Sequence, residues 1–232
     1  MSNFFLHKYG RADDVDAATD IYDVSTGDYE FPAVAFQTEI VGGASDDVTS
    51  DGIHGVQVEG LDINYAEITE VTTLTGATPV VLANSYFRVN RAFILSDGGN
   101  GINSFDISVT HTGSATLARI NAEEGQTLQA IYTMPAGVSA HVLGWHVNAA
   151  RVGVKVDVQA SMRFQTRKFG ESWRTKDTSE VSNTQDVVRN FKTAVGIELA
   201  PRMDIRLRCV AINTDNVAVS GGFEAEGFRD IR

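Results

Sequence analysis

The sequence predicts an all-β protein, and three observations support this prediction. Its 232 residues include 26 Val, 20 Thr and 14 Ile, against only 10 Leu and 5 Lys. Side chains branched at Cβ fit a pleated strand better than a helix. Apolar and polar residues alternate with period two in many short segments, which recur about every 8–12 residues with turn signals between them. Together these patterns favour an antiparallel β-sandwich, first of the jelly-roll type, with a meander barrel as the second choice.

Residues 1–54 lack a sustained period and are predicted to form an irregular N-terminal arm. The segment is too aromatic for a disordered tail and too irregular for a run of strands. The first 70 residues hold 15 acidic and two basic side chains. This acidity has two interpretations, a solvated face and an arm that lies across a basic patch on a neighbouring copy. The arm is expected to order against a neighbouring copy, with folding back onto its own sandwich as the alternative. The predicted contacts are Phe4, Phe5, Tyr22, Tyr29 and Phe31.

Residues 55–232 are predicted to form the β-sandwich domain. The segment 86–95 alternates most strongly and places Phe87, Val89, Phe93 and Leu95 on the core side. Trp145 is predicted in the core, and Cys209 is predicted to be a buried, unreactive thiol. The polar stretch 167–190 is interpreted as a long excursion with one helical turn near its end. The predicted strands are 56–61, 65–74, 80–82, 86–95, 105–109, 115–120, 126–134, 138–147, 153–164, 203–211 and 217–223.

Residues 151–176 contain a run of basic side chains. Its positive charge is expected to complement the acidic arm of an adjacent copy. Complementary patches steer and align assembly more than they add affinity. Trp173 lies in the polar excursion and is predicted to make an exposed contact. The candidate contacts here are Arg163, Arg167, Lys168 and Trp173, within a run that also holds Arg151, Lys155, Arg174 and Lys176.

No catalytic, cofactor or metal site is predicted. The five histidines do not pair with one another, with Cys209 or with carboxylates at metal-ligand spacing. The Asp-rich stretch 47–52 lacks the last ligand of a calcium loop, and the Gly-rich stretch 98–101 lacks the Lys of a phosphate loop. Both are interpreted as turns or loops, and the chain is predicted not to be an enzyme.

Composition also limits the partners and the cellular location. The net charge of −11 argues against nucleic acid as the main partner, because phosphate binding needs a basic face. No apolar run is long enough for a membrane helix, and the first residues do not resemble a secretion signal. A single cysteine excludes an internal disulfide, so the fold is expected to depend on its core or on partner chains.

Three stretches resemble a group of structural proteins from tailed-bacteriophage virions. They are VEGLDINYAEI at 58–68, continuing through LTG at 74–76 to FRVNRA at 87–92; EGQTLQAIYTMPAG at 124–137; and the ending from Asp204 to Phe223. The resemblance covers roughly residues 20–225, and its motifs are structural. It implies a place in the virion after assembly in the host cytoplasm, and other virion proteins, such as major capsid or tail proteins, as partners.

Three functions are therefore weighed. The first is a capsid decoration or cement protein that binds the particle as an oligomer, for which a trimer is one expectation. The second is a tail-associated or host-surface-binding β-sandwich module. The third, an enzyme such as a wall hydrolase, lacks a convergent set of acid and base residues.

Overall fold

The computed structural model describes residues 2–24, 28–43, 55–96, 102–112, 116–151, 157–191 and 196–229. Within these ranges the chain forms antiparallel strands and no helix, which confirms the all-β prediction. The more specific prediction of a jelly roll stays a prediction. The strands are β1 Ser2–Val15, β2 Thr19–Asp20, β3 Phe36–Val41, β4 Gly55–Leu61, β5 Glu67–Thr72, β6 Val80–Tyr86, β7 Arg88–Ser96, β8 Ile107–His111, β9 Thr116–Ile120, β10 Ile131–Thr133, β11 Val138–Arg151, β12 Gln159–Lys168, β13 Arg174–Ser182, β14 Val187–Asn190, β15 Ile197–Leu199, β16 Met203–Ile212 and β17 Val217–Arg229.

The chain divides into two compact units, and this division corrects the predicted boundary at residue 54. The first unit combines Met1–Asp28 with Gln129–Arg232, and the second unit is Tyr29–Leu128. The second unit is thus an insertion in the sequence of the first. Where the chain leaves and re-enters the first unit, the Ala130 amide donates to the Ile21 carbonyl at 2.9 Å, so the two crossing segments lie side by side.

The first unit is a sandwich of two sheets. One sheet has the order β1-β17-β11-β14, with β15 also paired to β11, and the other has the order β10-β16-β12-β13, with β2 also paired to β16. Their inward side chains form one core, in which Phe164 lies 5.3 Å from Phe223 and 6.5 Å from Trp145 between ring centroids. Trp145 is fully buried, as predicted, and its Nε1 donates to Asp177 at 2.9 Å.

Strand β1 replaces the irregular arm that the sequence predicted for the start of the chain. It pairs with β17 along its length, from Ser2 opposite Arg229 to Val15 opposite Val217. Its inward positions include Lys8 and Gly10 as well as apolar residues, so the period-two pattern is hidden in the sequence. Gly10 is required there, because a Cβ would lie 2.2 Å from the Ala130 nitrogen and 2.5 Å from the Ile21 oxygen.

The second unit contains a four-stranded sheet, β6-β3-β8-β9, and a three-stranded sheet, β5-β4-β7. Buried aliphatic residues of both sheets and Tyr86 form its core. The Tyr86 hydroxyl donates to the Val58 carbonyl at 3.2 Å, and burial raises the pKa of this phenol. Glu70 of β5 accepts hydrogen bonds from the backbone amides of Ala83 and Asn84 in β6, which ties the edges of the two sheets together.

Strand β7 contains an irregularity that changes which side chains of the segment 86–95 face the core, so the predicted core side is wrong for part of the segment. Gly60 is opposite Val89 whereas Glu59 is opposite Arg91, so Asn90 is an extra residue that shifts the alternation. Beyond it Ala92 is buried, Phe93 is only half-buried and Leu95 is 48% exposed. Phe87 and Val89 lie in the interior as predicted, but Phe93 and Leu95 do not.

Buried His111 is expected to make the second unit sensitive to mild acid. Its Nε2 lies 3.2 Å from the Tyr86 carbonyl, and it therefore donates a proton to that oxygen. Burial lowers the pKa of His111, so the unfolded chain binds the proton more readily. Stability is therefore expected to be constant above about pH 6.5 and to fall below it, by up to about 1.4 kcal/mol per pH unit.

Urea unfolding of the full chain between pH 7.5 and 5, compared with His111→Gln, tests this expectation. The glutamine keeps a donor for the Tyr86 carbonyl but cannot gain the proton, so its stability should fall less steeply with acid. Equal pH dependence in both proteins would contradict the assignment.

Candidate binding surface

The solvent side of the β1-β17-β11 sheet is the candidate binding surface of the first unit. Cross-strand partners point to the same side of a sheet, so the strand registers determine which side chains meet there. We call this surface the outer face. Its rings and carboxylates are Phe5, His7, Tyr9, His141, His146, Glu198, Glu224, Glu226 and Phe228. Arg11, which pairs with Asp13, and Val188 lie on the same side.

A continuous row crosses four strands on the outer face. Phe5 of β1 lies opposite Glu226 of β17, Glu226 lies opposite His141 of β11, and His141 lies opposite Glu198 of β15. The next row of partners places His7 opposite Glu224. Carboxylates therefore alternate with rings across the sheet, which gives the outer face both acidic and apolar contact area.

A glycine makes room for a ring pair at one end of the outer face. The Tyr9 and His146 rings are stacked, with centroids 6.2 Å apart and planes inclined by 17°. Both residues are opposite Gly222 on the strand between them. A Cβ at Gly222 would lie 2.3 Å from the Lys8 carbonyl oxygen and 3.0 Å from the His146 ring, so a larger residue would displace the pair.

Aromatic side chains of the outer face extend far into solvent. Phe5 is 70% exposed and Phe228 is 58% exposed, although Phe4 beside Phe5 is buried. Aromatic residues grouped on an exposed surface with a polar surround are typical of sites that contact another macromolecule.

A buried ionic network lies on the side of the opposite sheet that faces away from the core of the first unit. The wholly buried Asp20 carboxylate accepts hydrogen bonds from Arg206 at 3.2 Å and Arg208 at 3.0 Å. Arg208 also binds Asp28, and Arg206 donates to Gln165 at 3.0 Å. Burial lowers the pKa of Arg206, and the nearby Asp20 opposes this shift. Because an arginine remains charged at neutral pH, the carboxylate is needed to offset two buried cations.

Trp173 anchors the loop between β12 and β13 to this network. The Arg206 guanidinium lies 4.0 Å from the centroid of the Trp173 ring, and that of Arg167 lies 4.4 Å from it. Arg167 in turn pairs with buried Asp204 at 3.4 Å. Two cations on one ring hold the loop in place. Trp173 is therefore half-buried, whereas the sequence predicted an exposed contact.

The ends of β12 and β13 beside this loop carry a basic group of side chains, and together with the loop we call them the hairpin tip. Lys168, Arg174 and Lys176 are exposed, and the only carboxylate among residues 168–176 is Glu171, which pairs with Arg174 at 3.3 Å. Phe169 adds an aromatic ring that is 43% exposed. The hairpin tip thus combines positive charge with apolar surface. Its members are Lys168, Phe169, Glu171, Arg174 and Lys176.

The structure corrects most of the contacts predicted for the first 54 residues. Phe4, Tyr22 and Tyr29 are buried within their own chain. Phe31 is half-buried, with its ring 4.6 Å from that of Tyr29. Phe5 alone among these five residues is strongly exposed, because it occupies an outward position of β1.

The predicted basic run is divided between different environments. Arg163 and Lys168 are exposed, whereas Arg167 is half-buried in the ionic network. Lys155 lies outside the described residues, as do the Asp-rich stretch 47–52 and the Gly-rich stretch 98–101. The structure therefore brings together Arg167, Trp173 and Arg206, of which Arg206 was not among the predicted contacts.

Cys209 is fully buried in the core of the first unit, as the sequence predicted. Burial raises its pKa to about 11, and the thiol donates to the Ala211 carbonyl at 3.5 Å. A thiol in this environment is protonated at neutral pH and unreactive.

A search of the described ranges for three or more His, Cys, Asp or Glu side chains arranged to hold a metal ion found none. In the same part of the chain, no helix has the length and apolar character needed to cross a membrane. Comparison with known proteins gave no match to a family model, a curated protein or a solved structure.

Proposed function

We propose that this chain is a non-enzymatic structural protein of a tailed-phage virion. The form that we favour is a capsid decoration or cement protein that binds the particle as a homo-oligomer. It assembles in the host cytoplasm and contacts other virion proteins, with neither nucleic acid nor membrane as a partner. The sequence resemblance to virion proteins suggests that the chain is a component of the particle. The outer face suggests how copies of the chain assemble into the oligomer that binds the particle.

The single observation that carries this proposal is the exposure of Phe5 and Phe228 on one regular sheet face. Exposed aromatic rings are costly for a protein that stays alone in water, and they supply most of the affinity in many interfaces. The sheet holds them in place through backbone pairing, so little conformational entropy is lost on binding. A chain with such a face suits a surface lattice of repeated subunits.

The alternative is attachment to the tail or recognition of a host surface. Its main support in the sequence was Trp173 as an exposed aromatic contact. The ring lies instead against two guanidinium groups, so Trp173 no longer favours this alternative over the decoration role.

Particles produced from a genome that encodes the chain test the proposal directly. They are purified on a density gradient, and the chain is identified in the particle band by mass spectrometry and located by electron cryomicroscopy. Regular density on the capsid surface is expected. A chain missing from purified particles would overturn the virion role, and density only on the tail would favour the alternative.

Removing the exposed aromatic rings is expected to reduce particle binding without unfolding the protein. The Phe5→Ser/Phe228→Ser variant should lose at least about tenfold in occupancy, because rings at interface centres dominate binding energy. Phe36→Ser is the control, since Phe36 is 45% exposed in the second unit. Occupancy is measured by quantitative mass spectrometry after matched circular dichroism spectra. Equal occupancy of the double variant and the control would exclude the outer face as the contact.

A further inference from the structure

We infer that the hairpin tip of one copy docks on the outer face of a second copy, so that copies associate head to tail. This inference rests on the proposed function, because it names the partner of the outer face in the assembled oligomer.

Charge complementarity supports a second copy as the partner. The outer face presents Glu198, Glu224 and Glu226, while the hairpin tip presents Lys168, Arg174 and Lys176 against the single carboxylate of Glu171. Surfaces of opposite sign attract each other at long range and disfavour wrong orientations. Each copy carries both surfaces, so no other protein is needed to complete the contact.

Exposed rings also match across the proposed contact. Phe169 projects from the hairpin tip, and Phe5 and Phe228 project from the outer face between its carboxylates. An interface with an aromatic centre and a charged surround has the usual composition of specific protein contacts. Trp173 contacts Arg167 and Arg206, and these contacts anchor the loop that carries Phe169.

The position of the two surfaces determines the symmetry of the assembly. The outer face belongs to the β1-β17-β11 sheet, and the hairpin tip belongs to the opposite sheet of the same sandwich. Because the two surfaces lie on opposite sheets of one sandwich, we infer that a pair of copies shares a single tip-on-face contact, which is therefore heterologous. A heterologous contact that closes forms a ring, such as the trimer expected for a decoration protein.

Reciprocal charge reversal tests this contact in the full-length chain. Glu224→Lys/Glu226→Lys makes the outer face basic, and Lys168→Glu/Lys176→Glu makes the hairpin tip acidic. Sedimentation velocity should show each variant alone associating at least about tenfold more weakly than the wild type, because like charges then face each other. An equimolar mixture of the two variants should recover association, since the basic tip of one meets the acidic face of the other and the reverse.

The control is Glu123→Lys/Glu124→Lys, which reverses two exposed carboxylates of the second unit. It should associate like the wild type, and all variants should keep the wild-type circular dichroism spectrum. Raising the salt from about 0.05 to 0.5 M should weaken the wild-type contact, because both charge groups are exposed to solvent. A monomeric wild-type chain, an unaffected variant or a mixture without recovery would each overturn the inference.

Occupancy on particles separates failure of this inference from failure of the proposed function. If the charge variants remain on particles and associate like the wild type, the head-to-tail contact is wrong and the virion role stands. If the wild-type chain forms charge-dependent oligomers but is missing from particles, the contact stands and the virion role is wrong.

Discussion

The Phe164→Ala variant is expected to lose about 3–5 kcal/mol in free energy of unfolding, because it leaves a large cavity in a close-packed core. Phe164 is fully buried, and its ring contacts those of Trp145 and Phe223 from the opposite sheet of the first unit. It therefore joins both sheets, and its removal weakens the packing between them. Urea unfolding monitored by tryptophan fluorescence gives the change, since Trp145 lies beside the cavity.

The control for this variant is Phe5→Ala, which removes the same ring from a position that is 70% exposed. Its cost should stay within about 0.5 kcal/mol, as for other surface substitutions. Similar losses in the two variants would show that the assignment of inward and outward positions in the first unit is wrong.

The Asp20→Ala variant is expected to lose about 3–5 kcal/mol as well, for an electrostatic reason. Asp20 is wholly buried and accepts hydrogen bonds from Arg206 and Arg208, which are themselves largely shielded from solvent. Without the carboxylate, Arg206 keeps its hydrogen bond to Gln165 and Arg208 keeps its ion pair with Asp28. Both arginines lose Asp20, their buried counter-ion. The same change should alter Trp173 fluorescence, because Arg206 lies against that ring.

Asp13→Ala is the matched control, since Asp13 forms an exposed ion pair with Arg11. Exposed pairs contribute about 0–1 kcal/mol, so this variant should unfold close to the wild type. The Asp20→Ala/Arg206→Met double variant should recover part of the loss, because it removes the buried cation whose carboxylate partner has been lost, whereas Arg208 still pairs with Asp28. An Asp20→Ala variant as stable as Asp13→Ala would contradict the assigned role of the network.

The sequence predicted well those features that depend on local composition. The all-β class followed from the abundance of Val, Thr and Ile, and the burial of Trp145 and Cys209 followed from apolar positions in alternating segments. Strand β1 was missed because Lys8 and Gly10 occupy inward positions and Phe5 and Tyr9 occupy outward ones. Its pattern is the reverse of an ordinary amphipathic strand at four positions.

The outer face and the ionic network depend on pairing between distant parts of the chain. Asp20 is 186 residues from Arg206, and His7 meets Glu224 only through the register of β1 against β17. Alternation indicates which side of a strand a residue occupies, but not which strand lies beside it. One extra residue, Asn90, was enough to reverse the predicted faces of Phe93 and Leu95.

The pairing of β1 with β17 is expected to make the first unit fold after the second during synthesis. Among the described strands, β1 is made first and its partner β17 is made last. Until then the inward side chains Phe4 and Ala12 have no sheet to cover them. The second unit, Tyr29–Leu128, is contiguous and has all its described strands available much earlier. A ribosome halted near residue 160 is therefore expected to carry a folded second unit and a first unit still sensitive to protease.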